Sequence, residues 1–577
     1  MARPSLISPH GGRAVDLVAG AERADALRAT IASAPVWSLT PRQACDFELL
    51  TNGGFAPLSG YMTSAAVDSV ARDLRLPDGT LWPLPVLLDV DSATAARAEA
   101  AGALGLIDGE GTPLGLLHVE EVYAPDREGL AEQLFGTLDR RHPGVVQTLE
   151  RQRTHAVGGR VEALRLPRHY DFVDLRLTPA QLRARFEQLG WSRIVAFQTR
   201  NPMHRVHFEL SLRAARDLEA NLLIHPVVGP TRPGDVDPFT RVRCYKALLP
   251  RAPRQTTQLA LLPLAMRMAG PREAVLHALI RQNYGCSHFI VGRDHAGPGN
   301  DSQGEPFYGP FEAQQLLARH ADEIEIEIWK ARAMVYVREL DEYVADDEVP
   351  DGLAPLHISG SELRQRLDRG GEIPEWLTWP EVATELRRSR PPRPRAGFTV
   401  FLTGLSGAGK STIANVLQVR FREQDRRPVT LLDGDIVRRN LSSELGFSKE
   451  HRDLNIRRIG FVASEITKNG GIAICAPIAP YDHVRREVRE AIEDVGGFAL
   501  VHVATPLATC EARDPKGLYA KARAGEIRGF TGIDDPYEVP TDAELVLDTR
   551  GLSPEAAAQR ILLHLEGEGY LGPESQT

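Results

Sequence analysis

The sequence predicts a multidomain α/β protein in which a β-rich N-terminal domain precedes two domains that are each built on a parallel sheet. Short apolar segments separated by Gly/Pro turns dominate the first part of the chain. Apolar strands then alternate with helical patterns, and a proline-rich segment separates them from a final strand, glycine-rich turn and helix. The predicted ranges are 1–168 for the β-rich domain, 169–328 for the central α/β domain, 329–390 for a small helical subdomain, 391–396 for a linker and 397–577 for the last domain.

The composition of the 577 residues is that of a globular protein, with 42% hydrophobic and 25% charged residues. A net charge of −9 argues against a large surface for nucleic acid, so we expect no nucleic-acid partner. The chain begins without the apolar core of a signal peptide, and no apolar run reaches the ~18–20 residues that span a bilayer. The five cysteines lack C-x-x-C or Cys/His zinc spacing. We therefore expect a cytoplasmic protein with reduced thiols, no membrane partner and no structural zinc.

Two segments of the first domain read as strands joined by turns. They are LWPLPVLLDVD at 81–91 and LGLIDGEGTPLGLLHVEEVYA at 104–124, and the second contains a Gly/Pro turn between two apolar runs. Mixed β structure is therefore predicted before residue 169.

The central domain opens on a helix whose two ends are marked in the sequence. Thr178 is placed to cap the N-terminus, Pro179 suits the first helical position, and Gln181 completes a capping box. Gly190 can take the left-handed conformation that ends a helix. An apolar strand, WSRIVAFQTRN, follows, and then a helix from about Met203.

A polar motif, QTRNPMHRVH at 198–207, lies where that strand ends and the next helix begins. Arg200 is a fixed cation, and the two histidines are three residues apart, so they share one face of the first turn. Helix N–H groups and two imidazoles suit a polyphosphate. A zinc site and purely structural histidines are the competing interpretations, although no H-E-x-x-H pattern or third ligand is visible. The candidate catalytic residues here are Thr199, Arg200, Asn201, His204 and His207.

A second polar element, HFIVGRDHAGPG at 288–299, follows another apolar strand. Such a glycine-rich loop is weak evidence alone, because Gly-Pro turns are common. With the first motif it places two polar strand ends at one edge of a parallel sheet, where ligands bind. The residues of interest are Gly292, Arg293, Asp294, His295 and Ala296, and Arg293 joins the candidate catalytic set.

The last domain carries the strongest single motif, GLSGAGKS, between a strand and a helix. It satisfies G-x-x-x-x-G-K-[ST], in which backbone N–H groups cradle phosphates, the lysine supplies a point charge and the serine binds Mg²⁺. A glycine turn without a ligand is the competing interpretation. The predicted ATP-binding residues are Gly404, Leu405, Ser406, Gly407, Ala408, Gly409, Lys410, Ser411 and Thr412.

About 20 residues further on, VTLLDGD at 429–435 reads as a second buried strand that ends in two aspartates. Asp435 is predicted to position an acceptor hydroxyl or, with Ser411, to hold Mg²⁺. The alternative for a lone aspartate at this place is a helix cap. Mg²⁺, arriving with ATP, is the only cofactor expected.

Over nearly all of 397–577 the chain resembles the adenylylsulfate kinase family. The resemblance rests on LDGDIVRRNLSSELGFSKEHRDLNIRRIGFVA at 432–463 and RDPKGLYAKARAGEIRGFTGIDDPYE at 513–538. It implies that adenylylsulfate contacts one set of side chains and that two further residues belong to a lid. The implied contacts are Arg438, Phe447, Arg452 and Asn455, and the implied lid residues are Lys516 and Phe530.

The sequence departs from that family in one segment, which reads Ile-Ala-Pro-Tyr-Asp at 478–482 where the family often has I-S-P-Y-R. Ala479 has no hydroxyl, so a phosphoenzyme at this position is excluded and direct transfer is predicted. Asp482 in place of arginine puts one anion contact in doubt.

Over roughly 1–390 the chain resembles the ATP sulfurylase (sulfate adenylyltransferase) family. The motifs above carry the resemblance, together with PHGG near His10, GGFAPLSGYM, GPREAVLHALIRQNYG and ISGSELR. It implies a PUA-like N-terminal domain and a nucleotidyltransferase domain of the H-x-G-H class. It also implies three groups of contacts: Gln198, Arg200 and Ala296 with sulfate; Gly292 to His295 and Val335 with the nucleotide; His204 and His207 with the β- and γ-phosphates.

Together the two resemblances imply sulfate activation with four small-molecule ligands: ATP, sulfate, adenylylsulfate and pyrophosphate. Adenylyl transfer to sulfate needs positioning and cations rather than a base, so no covalent intermediate is expected. A regulatory nucleotide-binding C-terminal domain, a P-loop switch that powers a partner, and a sulfurylase that runs toward ATP are the alternatives. The resemblance also implies a homo-oligomer.

Overall fold

The computed structural model describes residues 5–232, 234–358 and 360–571, without the side chains of residues 360, 361 and 435. The chain forms two compact units: unit 1 comprises 1–357 and 374–385, and unit 2 comprises 358–373 and 386–577. The helices are α1 (Ala21–Ser33), α2 (Pro41–Thr51), α3 (Ser64–Asp73), α4 (Ser92–Ala101), α5 (Arg127–Phe135), α6 (Pro143–Val146), α7 (Pro179–Leu189), α8 (Arg205–Asp217), α9 (Pro238–Leu248), α10 (Gly270–Asn283), α11 (Glu312–Arg319), α12 (Gly360–Arg369), α13 (Pro380–Ser389), α14 (Lys410–Gln424), α15 (Gly434–Asn440), α16 (Lys449–Lys468), α17 (Asp482–Glu493), α18 (Leu507–Arg513), α19 (Leu518–Arg523) and α20 (Pro554–Gly567). The strands are β1 (Val36–Ser38), β2 (Gly60–Tyr61), β3 (Leu88–Val90), β4 (Ala103–Ile107), β5 (Pro113–Tyr123), β6 (His155–Ala163), β7 (Ile194–Phe197), β8 (Asn221–Ile224), β9 (Thr257–Leu259), β10 (His288–Val291), β11 (Glu327–Lys330), β12 (Met334–Val337), β13 (Glu342–Ala345), β14 (Pro355–Leu356), β15 (Phe398–Thr403), β16 (Val429–Asp433), β17 (Ile472–Ala476), β18 (Gly497–Val503) and β19 (Leu545–Leu547). Among the described residues, no helix has both the length and the apolar character needed to cross a membrane.

The first sheet of unit 1 has the order β1-β4-β5-β6-β2, with β3 also paired to β6. Its central hairpin joins β4 to β5 through a tight turn. The Asp108 carboxylate accepts the N–H groups of Glu110 and Thr112, at 2.9 and 2.7 Å, which fixes the turn because an Asx side chain replaces a backbone acceptor. The strands predicted in 81–91 and 104–124 are therefore present, and helices α1–α6 accompany them.

The second sheet of unit 1 is parallel throughout and has the order β11-β10-β7-β8-β9. The helix that leads into it, α7, has the predicted ends. Thr178 caps its N-terminus and forms the capping box with Gln181, and Gly190 ends it at φ 71°. Strands β7 and β10 are neighbours, so the polar segments that follow them emerge at one edge of the sheet.

The segment 329–390 was predicted to be helical, and this prediction is wrong in part. Helices α12 and α13 are present, but β12, β13 and β14 form an antiparallel sheet before them. The residues of β12 and β13 are mostly β-branched or aromatic, and such side chains favour a pleated surface over a helix. Asp341, at φ 51°, takes the left-handed conformation in the turn between the two strands.

Unit 2 contains a parallel five-stranded sheet with the order β16-β17-β15-β18-β19. Helices α14 and α20 bury side chains on one face, and α16 and α17 do so on the other. Strand β15 is buried along its whole length in the centre of the sheet. The loop after β15 therefore lies where the strand order reverses, the usual position of a ligand in such sheets.

Candidate active sites

The candidate site of unit 1 forms where β7 and β10 end. The 198–201 segment follows β7 and the 292–299 segment follows β10. A guanidinium N–H of Arg200 lies 3.4 Å from the carbonyl oxygen of Gly297, which brings the two segments into contact. The sheet edge thus joins the two polar motifs that the sequence singled out.

Arg200 is held by a carboxylate that no motif identified. Its Nη1 donates to both oxygens of Asp235, at 2.8 and 2.6 Å. Arg232 also donates to Asp235, at 3.2 Å, and Arg241 donates to the carbonyl of Arg200, at 2.9 Å. Asp235 lies in a Gly/Pro-rich loop between β8 and α9, and nothing in its local sequence pairs it with Arg200. In this arrangement a carboxylate already fills the anion-binding face of the arginine.

His204 and His207 lie together, with ring centroids 6.1 Å apart. The Nδ1 atom of His204 is 3.1 Å from the Thr378 hydroxyl. Burial, and secondarily the charge of His207, lowers the pKa of His204 to about 3. Burial lowers the pKa of His207 to about 4. Both imidazoles are therefore neutral near pH 7 and meet an anion as hydrogen-bond donors rather than as cations.

The N-terminus of α8 is less open than the sequence suggested. The helix begins at Arg205 rather than at Met203. The N–H of Arg205 donates to the carbonyl of Leu377, at 3.1 Å, so one of the predicted anion-binding donors already has a partner. The side chain of Arg205 bonds Glu209 in the next turn, at 2.5 Å.

Two polar atoms in this motif are buried without a hydrogen-bond partner among the described residues. They are Gln198 Oε1 and His207 Nδ1. Buried polar groups normally have partners, so orphans of this kind mark a place where a ligand or water belongs. Thr199 and Asn201 instead stabilise the turn: the N–H of Asn201 donates to the Thr199 hydroxyl, at 3.0 Å.

In the second motif, Arg293 and Asp294 are exposed, and Ala296 takes the left-handed conformation at φ 57°. The Asp294 carboxylate lies where a side chain at Gly297 would stand, which explains the glycine there. The Nε2 atom of His295 is 3.0 Å from Nδ1 of His277, in α10. Val335, the remaining predicted nucleotide contact, lies in β12 of the small antiparallel sheet.

The candidate site of unit 2 is the loop between β15 and α14. The Nζ atom of Lys410 donates to the carbonyls of Gly404 and Leu405, each at 2.8 Å. Burial lowers the pKa of Lys410 to about 8. Gly404, Gly407 and Gly409 all have positive φ. A loop with this backbone turns its N–H groups inward, as phosphate binding requires.

Ser411 and Asp433 supply oxygen ligands of the kind that Mg²⁺ prefers. The Ser411 hydroxyl donates to Asp433 Oδ2 at 2.6 Å, where β16 ends. The sequence predicted Asp435 for this role, and its side chain is not among those that the structure describes. Asp433, which makes the observed contact, belongs to the same LDGD motif. The described residues contain no group of three or more His, Cys, Asp or Glu side chains arranged to hold a metal ion.

The predicted adenylylsulfate contacts in α16 lie beside an acidic and an aromatic partner. Arg452 donates to Asp535 Oδ2 at 2.7 Å, and the Tyr481 hydroxyl donates to the other oxygen of that carboxylate, at 2.9 Å. Arg452 Nε and Asn455 Oδ1 are buried without a hydrogen-bond partner in the described parts of the chain. As in unit 1, orphaned polar atoms accompany a carboxylate-bound arginine.

The two aromatic residues of the predicted adenylylsulfate site, Phe447 and Phe530, have different neighbours. Phe447 is 69% exposed and lies 4.4 Å from the guanidinium carbon of Arg438. Phe530 packs edge-on against Tyr519, with 5.0 Å between ring centroids. The Tyr519 hydroxyl donates to the Ser406 carbonyl at 2.9 Å and so joins this cluster to the phosphate loop. Lys516 is exposed just before α19.

The segment 478–482, in which the sequence differs from the kinase family, lies beside the C-terminal end of β15. Ala479 is buried at φ 46°, and its carbonyl accepts from Arg485 at 2.7 Å. Asp482 begins α17 and accepts from Arg485 and Arg486, at 3.1 and 2.6 Å. The carboxylate of Asp482 is thus neutralised by arginines of its own helix.

Three family models match the chain in succession. The first is described as a PUA-like domain and matches residues 7–166. The second, ATP-sulfurylase, matches 173–389, and the third, adenylylsulphate kinase, matches 396–548. The second match contains both strand-end motifs of unit 1, and the third contains the phosphate loop and the α16 contacts.

Relatives and a solved structure match the chain over nearly its full length. A sulfate adenylyltransferase of Emericella nidulans is 52% identical over 568 residues, which is 98% of this chain and 99% of the relative. A sulfate adenylyltransferase of Neurospora crassa is 51% identical over 567 residues, with the same coverage. A structure described as a hexameric APS kinase from Thiobacillus denitrificans is 42% identical, with a TM-score of 0.81 over 98% of this chain and 100% of that chain.

Proposed function

The chain belongs to the sulfate adenylyltransferase family, and on this premise we propose that it activates sulfate in two steps. Unit 1 transfers the adenylyl group of ATP to sulfate and releases pyrophosphate. Unit 2 transfers the γ-phosphoryl group of a second ATP to the 3′-hydroxyl of adenylylsulfate. The observation that carries the proposal is that one chain combines the strand-end arginine and histidine cluster with a complete phosphate loop.

In the first step an oxygen of sulfate attacks the α-phosphorus of ATP, and the bond to pyrophosphate breaks. No proton moves, so the site has to orient two anions and stabilise the charge that develops. Arg200, with Gln198 and Ala296, is the proposed sulfate subsite, and Arg200 exchanges the Asp235 carboxylate for sulfate when the substrate binds. Thr199 and Asn201 shape the turn, and Arg293 is the proposed cation on the pyrophosphate side.

The neutral histidines refine this proposal. His204 and His207 offer N–H donors to the β- and γ-phosphates, and Gly292 to His295 with Val335 border the nucleotide. A polyphosphate would raise the pKa of each imidazole by placing negative charge beside it. Removing one such donor typically costs about 2.7–4 kcal/mol of transition-state stabilisation.

In the second step the 3′-hydroxyl oxygen attacks the γ-phosphorus, ADP leaves, and the hydroxyl proton is released. Lys410 exchanges two loop carbonyls for phosphate oxygens, and Arg438, Phe447, Arg452, Asn455, Lys516 and Phe530 are the proposed contacts to adenylylsulfate. Ser411 and Asp433, with Asp435 as a further candidate, would hold Mg²⁺. When bound, that ion neutralises charge on the β- and γ-phosphates.

A second candidate function for unit 2 is regulation by a bound nucleotide. It has one observation in its favour: the full-length relatives are named for the first activity alone. The intact phosphate loop and the Ser411–Asp433 contact favour an active kinase. The direction in which unit 1 runs in the cell depends on metabolite concentrations and is the same chemistry in reverse.

We infer a cytoplasmic location, because both steps consume ATP, and a homo-oligomer, in keeping with the hexamer described for the Thiobacillus denitrificans structure. The ranges 1–168, 169–328, 329–390, 391–396 and 397–577 remain the proposed domain boundaries.

The test is a product analysis with purified protein, sulfate, ATP, Mg²⁺ and a pyrophosphatase. The unchanged chain should accumulate 3′-phosphoadenylylsulfate. K410A should stop at adenylylsulfate, while R200A should make neither product from sulfate yet phosphorylate added adenylylsulfate.

The matched controls are K468A in unit 2 and R213A in unit 1, because each removes a cation paired at the surface. If the unchanged chain stops at adenylylsulfate, unit 2 is regulatory. If R200A forms adenylylsulfate normally, the assigned sulfate subsite is wrong.

A further inference from the structure

Helix α10 carries a row of polar side chains in the interior of unit 1. Glu273, His277 and Arg281 follow one another at four-residue spacing, so they lie along one face, and all three are 0% exposed. Burying three ionisable groups is costly unless each has partners. The proposed chemistry of unit 1 uses none of them, although one contacts the nucleotide motif.

Glu273 anchors the row. Its two carboxylate oxygens accept the N–H groups of Arg267 and Ala269, at 2.8 and 3.0 Å. The same carboxylate is 3.4 Å from Nε2 of His277, a charge contact without hydrogen-bond geometry, since that nitrogen has no hydrogen-bond partner among the described residues. Burial alone would raise the pKa of Glu273, but the contact with His277 and the N–H of Arg267 bring that pKa below its ordinary value. Glu273 is therefore an anion that can only accept hydrogen bonds.

This anion decides which nitrogen of His277 carries the proton. A lone pair on Nε2 would face a carboxylate at 3.4 Å and be repelled, so Nε2 is the protonated atom. Burial lowers the pKa of His277 by more than the Glu273 carboxylate raises it, so the ring is neutral near pH 7 and its Nδ1 is an acceptor. His295 Nε2 is 3.0 Å from that Nδ1 and must therefore be the donor. The remaining nitrogen of His295, Nδ1, is left with a lone pair.

We propose that His277, whose tautomer is set by the nearby charge of Glu273, fixes the tautomer of His295 so that His295 presents a hydrogen-bond acceptor to a hydroxyl or amino group of the nucleotide. His277 is then a positioning residue that acts through His295, and the inference rests on the proposed function of unit 1. His295 is partly exposed and belongs to the GRDH segment, which the proposed function places beside the nucleotide. Arg281 supports the row by donating to the carbonyl of His225, at 3.1 Å.

The proposal excludes a phosphate contact for Nδ1 of His295. Two lone pairs, one on the imidazole and one on a phosphate oxygen, repel each other, whereas an O–H or N–H group is attracted. His295 therefore contacts the nucleoside part of ATP, and His204 and His207 are the histidines that remain available to the phosphates. Loss of a partner that orients a ligand-binding side chain in this way typically changes affinity or activity by about 10–100-fold.

The first test compares H277A with H277N. Alanine removes the acceptor, while the asparagine amide oxygen can accept near the position of Nδ1. We expect H277A to raise the KM for ATP in adenylylsulfate formation about tenfold or more, with a smaller change in kcat, and H277N to recover most of the loss. Thermal unfolding of both variants checks that unit 1 is folded.

Nucleotide analogues separate positioning from packing. A 2′-deoxy analogue of ATP and an analogue without the adenine amino group each lack one donor. The analogue that lacks the donor read by His295 should bind the unchanged chain more weakly and be insensitive to H277A. An equal loss for ATP and for both analogues, with no recovery in H277N, would overturn the proposal.

The tautomer itself is read by ¹⁵N NMR of histidine-labelled protein, with His295 assigned through H295Q. A proton on Nε2 of His295 in the unchanged chain is the expected result, and a proton on Nδ1 would overturn the inference whatever the kinetics. Failure of the unchanged chain to form adenylylsulfate would instead refute the proposed function, and the NMR result would still report the hydrogen-bond row.

Discussion

Arg200 shows how a single residue can hold a site ready before its ligand arrives. Its guanidinium is only partly exposed, and it is paired with Asp235 through two short hydrogen bonds. Because a partly buried arginine without an anion would pay for its desolvation, the carboxylate keeps the cation in place and oriented. If Arg200 binds sulfate as proposed, sulfate would replace one anion by another rather than order a free side chain, which would lower the entropic cost of binding.

Thr378 provides a residue-scale prediction. Its buried hydroxyl lies 3.1 Å from Nδ1 of His204, so T378V should leave that nitrogen without a partner. We expect adenylylsulfate formation to fall about threefold to tenfold in kcat/KM, in keeping with about 0.5–1.5 kcal/mol for one hydrogen bond. The kinase step, assayed with added adenylylsulfate, should not change.

The control for T378V is T384V, which removes an exposed hydroxyl that bonds the Pro380 carbonyl in the same segment. An equal loss in the two variants would show that the effect is not transmitted through His204.

The two neutral histidines make unit 1 sensitive to acid. Their folded pKa values, about 3 for His204 and about 4 for His207, lie below the ordinary value of 6.5. Between the folded pKa values and 6.5, the unfolded chain binds more protons than the folded chain. The free energy of unfolding therefore keeps its full value above pH 6.5 and decreases as the pH falls below it. Each imidazole contributes at most about 1.4 kcal/mol per pH unit.

Calorimetry of the unchanged chain and of H207Q checks this prediction. The unfolding temperature of unit 1 should fall from pH 7.5 to pH 5, and it should fall less in H207Q. Parallel falls in the two proteins would show that other groups cause the effect.

At the scale of these residues, the sequence identified Arg200 and His204 but not the groups that hold them. QTRNPMHRVH contains its polar residues within ten positions, so a strand end and a helix start place them together. Asp235 and Thr378 are 35 and 174 residues distant from Arg200 and His204, respectively, and only the tertiary fold brings them close. Local patterns carry no information about such pairs.

At the scale of elements, prediction succeeded where the ends of an element were written in its own residues. Helix α7 has its cap, capping box and terminal glycine within the segment itself. The sheet β12–β14 was missed because its strands have only two to four residues, too few for a clear period of two. Short strands are stabilised by their neighbours in the sheet rather than by their own sequence.

Helix α7 also gives a prediction at this scale. T178A removes the side chain that accepts the N–H of Gln181, at 3.3 Å, so unit 1 should lose about 1 kcal/mol of stability. For a unit of this size the unfolding temperature should fall by about 2 °C. T178S keeps the hydroxyl and should melt close to the unchanged chain, and a fall as large as that of T178A would refute a capping role.

At the scale of the whole molecule, the chain passes between the two units three times, since 374–385 belongs to unit 1 while the residues on either side belong to unit 2. This short return segment supports the first site. Leu377 accepts the N–H of Arg205, Thr378 contacts His204, and Trp379 packs edge-on against Phe208, with 5.3 Å between ring centroids.

A truncation experiment tests the role of the return segment. A fragment of residues 1–357 lacks it and should lose adenylylsulfate formation, whereas a fragment of 1–390 should retain it. Circular dichroism establishes that both fragments are folded. Equal activity in the two fragments would show that residues 374–385 are dispensable for the site.

The same interleaving bears on how such a protein changes over evolutionary time. When two enzyme domains are joined end to end, one break in the gene between them separates the two, and recombination can then replace either domain. Here no single break in the chain leaves both units whole. A break before residue 358 separates unit 1 from its segment 374–385, and a break after residue 385 separates 358–373 from the rest of unit 2. A crossover at either point would separate residues that belong to one compact unit, so residues 374–385 stay with 1–357 only when 358–373 stays with them.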